Sequence, residues 1–252
     1  MANTRTMITV VLPTLDAGRT LPDCLTALIP AAVDGTVREV IVVDGGSHDD
    51  TRVIADAAGA RVVETSAGRG RQIAAGVALA SQSWVLVLHA DTVLEVGWHD
   101  EVAAFIERQE AGTRSPAAAA FRFALDDDGF APRLLETVVG WRSHLLKLPY
   151  GDQGLLVPRA LLAEVGGFRP LPIMEDVDIV RRLGRRRLRI LRSRAITNAA
   201  RFREEGYLSR VARNQICMAM YTLGVPPERI ARYYRGRSVP TRASEPVTVK
   251  LP

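Results

Sequence analysis

VREVIVVDGGSHDDT, residues 37–51, holds the reading that decides the fold. Its first seven residues read as a buried strand, with Val40–Val43 an unbroken apolar, β-branched run. The run ends at Asp44 and passes into a turn, where Gly45 and Gly46 permit sharp backbone angles and Ser47 and Asp49 can cap a following helix. That helix is expected over residues 50–58. A strand apolar on both faces, then a glycine-bearing turn, then a helix, is the repeating unit of a covered parallel sheet.

The same grammar extends outward on both sides. MITVVL (7–12) reads as a strand stopped by Pro13, residues 20–29 as a helix, 61–64 as a short strand, 72–80 as a helix and WVLVL (84–88) as another buried strand. Together they predict an open, mostly parallel α/β sheet with helices on both faces, whose ligands bind at the carboxyl ends of the strands. Residues 96–107 place Trp98, Val102, Phe105 and Ile106 on one helical face, and 117–125 read as a strand. The alternation then loosens. Helices are expected over 132–148 and 159–165, with a short strand at 154–157. Short strands follow near 188–191 and 195–197, then C-terminal helices at 207–223 and 227–235 and a flexible tail over 236–252.

A chain of 252 residues, 47% hydrophobic, sustains one sizeable core without a second domain. No apolar run approaches the roughly 18 residues a bilayer span needs, and residues 1–7 lack a signal-peptide core, so the expected location is the cytoplasm. Cys24 and Cys217 stand far apart in apolar surroundings and read as buried free thiols. The net charge of +5 is unevenly spread: residues 181–237 hold 16 arginines against three acids, while residues 1–180 hold 15 basic and 24 acidic residues. A basic end of this kind suits anionic lipid, nucleic acid or diphosphate, or is simply a solvated arginine-rich surface. Residues 181–194 lack interleaved aromatics, which argues against nucleic acid. Residues 207–223, with Arg210, Arg213, Arg229, Arg232 and Arg235 around them, suit peripheral contact with the inner face of a membrane and equally burial against the sheet.

Three loops after strands carry carboxylates. Asp44 stands where a nucleotide base or ribose could lie. His89 and Asp91, at i and i+2 after WVLVL, point the same way and could reach one divalent ion bridging a diphosphate, although each has an ordinary loop or capping role as well. Glu175, Asp176 and Asp178 open a helix, which the macrodipole favours, and one of them could serve as a general base. Gly68-Arg69-Gly70-Arg71 lacks the third glycine of a dinucleotide fingerprint, yet Arg69 or Arg71 suits a diphosphate. No P-loop, G-x-S-x-G or zinc-ligand spacing is present.

Taken in order, ITVVLPTLDAGRTL, VIVVDGGSHDDT, VLVLHADT, YGDQGLLVPR, VGGF and MEDVD resemble the motifs of the family 2 glycosyltransferases of the GT-A fold. The resemblance runs over about residues 7–202 and is nearest to a bacterial arsenosugar-biosynthesis subgroup. It implies a donor site including Pro13, Asp16, Asp44, Arg69, Arg71, Asp91 and Arg201, a metal held by Asp91 and His89, and Asp176 as catalytic base supported by Glu175. Tyr150, Asp152 and Gln153 would shape the acceptor pocket. Arg201-Phe202, in NAARF, is similar to the family's Q-x-x-R-W element. His89 replaces the first acid of D-x-D, and NAARF departs at both ends. The implied protein is a single domain over 1–235, with a nucleotide-binding half at about 7–125 and an acceptor half at about 126–235. It would use Mn²⁺ or Mg²⁺, a UDP-sugar donor and a hydroxyl acceptor, in arsenosugar or glycolipid and carotenoid-type biosynthesis, with inversion at the anomeric carbon. A nucleotidyltransferase or a non-catalytic nucleotide-binding protein is the alternative.

Overall fold

In the computed structural model, which describes residues 7–112 and 116–236, one eight-stranded sheet runs through the molecule. Its strands are β1 (Ile8–Thr14), β2 (Val37–Asp44), β3 (Arg61–Glu64), β4 (Trp84–Val87), β5 (Thr92–Leu94), β6 (Ala118–Leu125), β7 (Leu155–Pro158) and β8 (Leu188–Thr197). The helices are α1 (Leu21–Thr26), α2 (Ile29–Val33), α3 (Thr51–Ala57), α4 (Arg69–Leu79), α5 (Trp98–Glu110) and α6 (Phe130–Trp141). They continue with α7 (Arg159–Glu164), α8 (Glu175–Leu183), α9 (Ala200–Glu205), α10 (Tyr207–Thr222) and α11 (Pro227–Gly236).

The spatial order β3-β2-β1-β4-β7-β6-β8-β5 begins with four parallel strands, as expected. Beyond β4 the sheet is mixed: β7 runs antiparallel to β4 and β6, β8 is parallel to β6, and β5 is antiparallel to β8. Alternate side chains fill two cores. Val10, Leu12, Leu86 and Leu88 meet Trp98 and Ile106 of α5 on one face, while Val11, Val85 and Val87 meet Ile73 of α4 and Ile179 of α8 on the other. Being covered on both faces is why these strands are apolar throughout.

Register brings the functional loops together. Thr14 lies opposite Asp44 and Val11 opposite Val87, so β1, β2 and β4 end along one edge. Thr92 lies opposite Thr197, and the Asn198 amide donates to the Asp91 carbonyl (3.0 Å), which brings the chain after β8 beside the chain after β4.

Several elements differ from expectation for identifiable reasons. The helix expected over 20–29 is two short helices, since Pro30 sits in the first turn of α2 and has no N–H to continue α1. The helix expected over 132–148 begins at Phe130 and turns wider after Trp141, forming one π-helical turn over Arg142–Leu146. β5 is three residues long, too short for a periodic signal. The two strands expected after residue 188 are one, interrupted at a bulge where the Glu101 carboxylate accepts the amides of Arg192 and Ser193.

The arginines of α10 are engaged within the protein. Arg210 and Arg213 turn inward on Glu205, and Arg213 and Cys217 are buried. No helix among the described residues is long and apolar enough to cross a membrane. Both cysteines are free and buried. The tail expected from residue 236 lies, beyond Gly236, outside the described residues.

Candidate active site

The carboxyl edge of β1 and β4 opens into a cleft of about 520 Å³. Pro13 lines it from the end of β1 and Asp16 from the loop that follows, His89 and Asp91 from the loop after β4, Arg69 from the start of α4 and Arg201 from α9. Six of the residues expected at the donor and metal sites therefore share one space. Asp16 is held in a left-handed conformation (φ 49°), with its amide donating to Ser47 Oγ (2.9 Å) and its carboxylate accepting the His48 amide (2.8 Å). This conformation is uncommon for a non-glycine residue, and the two bonds lock the β1 loop to the β2 loop.

Asp44 does not reach the cleft. It is fully buried, and its carboxylate accepts the Gly46 and Ser47 amides (3.0 and 2.8 Å) and the hydroxyls of Ser47 and Thr14. Burial alone would raise this carboxyl, but the Ser47, Gly46 and Thr14 donors hold it below the usual range. Its role is to shape the turn that presents Ser47 to Asp16, because its lone pairs are already used inside the protein. Arg71 also stays out, bonding to Ser66. Gln153 is buried as well: it donates to the Phe121 carbonyl (2.8 Å) and accepts from Ser143 (2.9 Å), so it braces the acceptor loop and lines neither the cleft nor the void beside it.

A small void adjoins the cleft, and His89 lines both. Here Asp176, at the start of α8, accepts the Gly151 amide through Oδ2 (2.7 Å). A Cβ on Gly151 would lie 2.8 Å from His89 Nε2 and 3.2 Å from Asp176 Oδ2, so glycine alone lets the chain pass between imidazole and carboxylate. Burial, followed by the nearby Arg69 guanidinium, pushes His89 down to about 4 against the pull of Asp91 and Asp176, leaving a neutral imidazole. Tyr150 flanks the void under the Arg142 guanidinium, 3.4 Å from its ring centroid. Asp152 is pushed up to about 6, chiefly by burial, and its Oδ1 has no hydrogen-bond partner among the described residues.

Glu175 is buried beside Arg69 (3.4 Å), with Oε2 unpartnered. Burial pushes its carboxyl up to about 7, opposed by Arg69 and reinforced by Asp176. An acid raised in the folded state costs stability as pH climbs from about 4.5 to about 7, because the unfolded chain releases its proton first. Glu175→Gln is therefore expected to flatten the fall in melting temperature between about pH 5 and about pH 8. An unchanged slope in thermal melts would assign that dependence to another group. Asp178, the third acid of the run, is engaged by Arg169 (3.0 Å) and Arg182 and is structural.

Sequence reasoning missed three contributors. Gln72 is buried and donates to the carbonyls of Thr14 (2.7 Å) and Val43 (2.9 Å), tying α4 to the carboxyl edge. Tyr234 and Arg235 reach the cleft from α11, far along the chain from every other wall. Only the arginine spacing of residues 229–235 hinted at α11, and that pattern pointed outward to lipid.

A sheet whose first four strands are parallel, with acids and guanidinium groups at its carboxyl edge and a helix-borne carboxylate across from them, defines the GT-A class of fold. The chain belongs to glycosyl transferase family 2, whose model matches residues 9–142. Among similar proteins, glucosyl-3-phosphoglycerate synthase of Mycolicibacterium paratuberculosis is 54% identical over 56 residues, covering 22% of this chain and 17% of that protein. An uncharacterized glycosyltransferase of Mycobacterium bovis is 36% identical over 115 residues, covering 44% of this chain and 50% of that protein. The chain thus spans half or less of the length of these curated relatives. Among solved structures, Mycobacterium tuberculosis glucosyl-3-phosphoglycerate synthase matches with TM-score 0.56 at 25% identity, covering 87% of this chain and 81% of that chain. The same enzyme in complex with Mn²⁺ and UDP-glucose matches with TM-score 0.59 at 24% identity, covering 87% and 80%. At that level the likeness is one of fold.

Proposed function

We propose that this chain transfers a hexosyl group from a UDP-sugar to a hydroxyl acceptor, with inversion at the anomeric carbon. The observation that carries the reading is Asp176, fixed by the Gly151 amide in the void that adjoins the arginine-lined cleft. The nucleoside diphosphate lies in the cleft against Arg69 and Arg201, whose guanidinium groups stabilise the charge left on it as the sugar departs. Asp176 accepts the proton of the acceptor hydroxyl, which attacks the anomeric carbon from the opposite side. Tyr150 walls the acceptor side of the void. The work divides between a nucleotide-binding half at about 7–125 and an acceptor half at about 126–235 of one domain.

The donor set suits Mn²⁺ or Mg²⁺ that arrives with its substrate. The described residues contain no cluster of three or more candidate ligands, and such ions are commonly bound by one or two carboxylates plus substrate phosphates. Asp91, with neutral His89 beside it, would hold the ion against the diphosphate, where it supplies charge neutralisation. The solved relative bound to Mn²⁺ and UDP-glucose supports the same choice of ion and donor. Asp91→Asn is expected to remove the Mn²⁺-dependent part of UDP affinity in calorimetry, and unchanged metal dependence would refute this assignment.

The reading is tested by UDP release from UDP-sugars with Mn²⁺. The acceptors are the arsenic-containing alcohol implied by the subgroup resemblance and lipid-borne hydroxyls of glycolipid or carotenoid type. The expected setting is the cytoplasm. Absence of both binding and turnover across the UDP-sugar panel would overturn the reading.

A further inference from the structure

Helix α6 carries an apolar stripe that the described protein leaves uncovered. Phe130, Leu134, Val138, Trp141 and, one turn on, Leu145 recur every three or four residues and so share a face. Phe130 is 83%, Trp141 70% and Leu145 68% exposed. The other side of the helix supplies Val139 to a core with Phe123 and Phe202. Ordinary surface leucines occur singly, whereas five large apolar side chains in one line form a contiguous patch, which marks an interaction site.

Unpartnered positive charge borders one end of this stripe. Arg185, in the arginine turn after α8, donates Nη2 to the Leu145 carbonyl (2.5 Å), which brings Arg185–Arg187 against the last turn. Arg186 beside it is exposed, and Lys147 follows Leu145 by two residues; neither has a carboxylate partner among the described residues. The acids at the opposite end are already engaged, Asp127 by Tyr207 and Arg203, and Asp128 and Glu136 by Arg133. The stripe therefore ends in cations that lack an anion, next to a tryptophan and a leucine that lack a cover.

We propose that this face docks on an anionic lipid surface, with Trp141 and Leu145 at the headgroup boundary and Lys147, Arg185 and Arg186 over the phosphates. The contact thus falls on α6, whereas the sequence pointed to residues 207–223. The docked end is also joined to the acceptor loop: Arg142 covers Tyr150 (3.4 Å) and Ser143 donates to Gln153 (2.9 Å). On the glycosyl-transfer reading, docking turns the acceptor side toward the bilayer; the docking itself does not depend on that reading.

Of the three tryptophans, Trp84 and Trp98 are buried and Trp141 is exposed, so the protein carries its own reporter. The full 252-residue chain is mixed with phosphatidylcholine vesicles containing about a third phosphatidylglycerol. It should co-sediment at low salt, release as salt rises, and shift its tryptophan emission to the blue. Val138→Ser with Leu145→Ser keeps the reporter and should weaken partitioning roughly tenfold or more, since each exposed residue loses the gain of burial. Arg185→Glu with Arg186→Glu should weaken it by a similar factor. Thermal melts establish that both variants fold. Absence of binding at low salt, or binding that neither double variant weakens, overturns the proposal. So does a dimer in vesicle-free solution that Val138→Ser with Leu145→Ser dissolves, which would assign the stripe to a second copy of the chain.

Discussion

Asp176→Asn is expected to lower sugar transfer by roughly 10²- to 10⁴-fold, the range spanned by general-base catalysis, while leaving donor affinity within a few-fold. The separation follows from the geometry. On the proposed reading the donor is held by the cleft wall, which Arg69, Asp91 and Arg201 line, whereas Asp176 lies in the adjoining void with Tyr150 and Gly151. Asparagine can preserve the bond from the Gly151 amide, because its side-chain oxygen still accepts, and gives up only the bond that the Val177 amide makes to the other oxygen (2.7 Å), so the 150–153 loop keeps its anchor on α8. What it loses is the ability to take a proton. A nucleoside diphosphate stabilised by arginines and a metal needs no protonating acid to depart, so no second carboxylate is required to replace the first. Turnover by the variant close to wild type, or a product whose anomeric configuration by NMR matches the donor, would remove Asp176 from the role of base.

Gly70→Ala is expected to produce the largest loss of stability among single-methyl changes near the cleft. A Cβ at this position would lie 2.5 Å from the Arg169 carbonyl oxygen, 2.6 Å from that of Leu171 and 2.7 Å from the Leu171 nitrogen. These are backbone atoms, so no rotamer change relieves the contact. Either the 169–171 loop retreats or the first turn of α4 unwinds, and the Gly70 amide bond to Leu171 (3.2 Å) is lost in both cases. Overpacking of this kind costs about 1–3 kcal/mol or more. In a domain of this size each kcal/mol lowers the melting temperature by about 2–4 °C. Arg69 moves with the turn, so nucleotide affinity should fall together with stability. Gly140→Ala in α6 is the control, because nothing stands within 4 Å of its Cβ position and alanine is the better helix former. If Gly70→Ala melts like Gly140→Ala, the close approach of α4 to this loop is wrong.

The Gly68–Arg71 run also marks the limit of local reading. Its glycines looked like the beginning of a nucleotide fingerprint, yet Gly70 serves the contact of a helix with a loop a hundred residues away. A packing glycine and a phosphate-binding glycine are the same letter, and only the neighbouring backbone distinguishes them. Asp44 teaches the same lesson. Its place after a strand made it a candidate for the nucleotide, but four donors from its own turn and from Thr14 consume its lone pairs.

The parallel half of the sheet, with the acids and arginines along its edge, is legible in the chain's letters. Buried parallel strands must be apolar on both faces, and loops at their carboxyl ends follow directly in the chain, so 7–12, 37–43 and 84–88 reveal both. The tertiary structure alone decided the antiparallel insertion of β7, the π-helical turn, the passage of Gly151 between His89 and Asp176, and the return of Tyr234 and Arg235 to the cleft. All but the π-helical turn join residues tens to more than two hundred positions apart. Periodicity and spacing report only a side chain's relation to its near neighbours, whereas these contacts depend on how the rest of the chain packs around them.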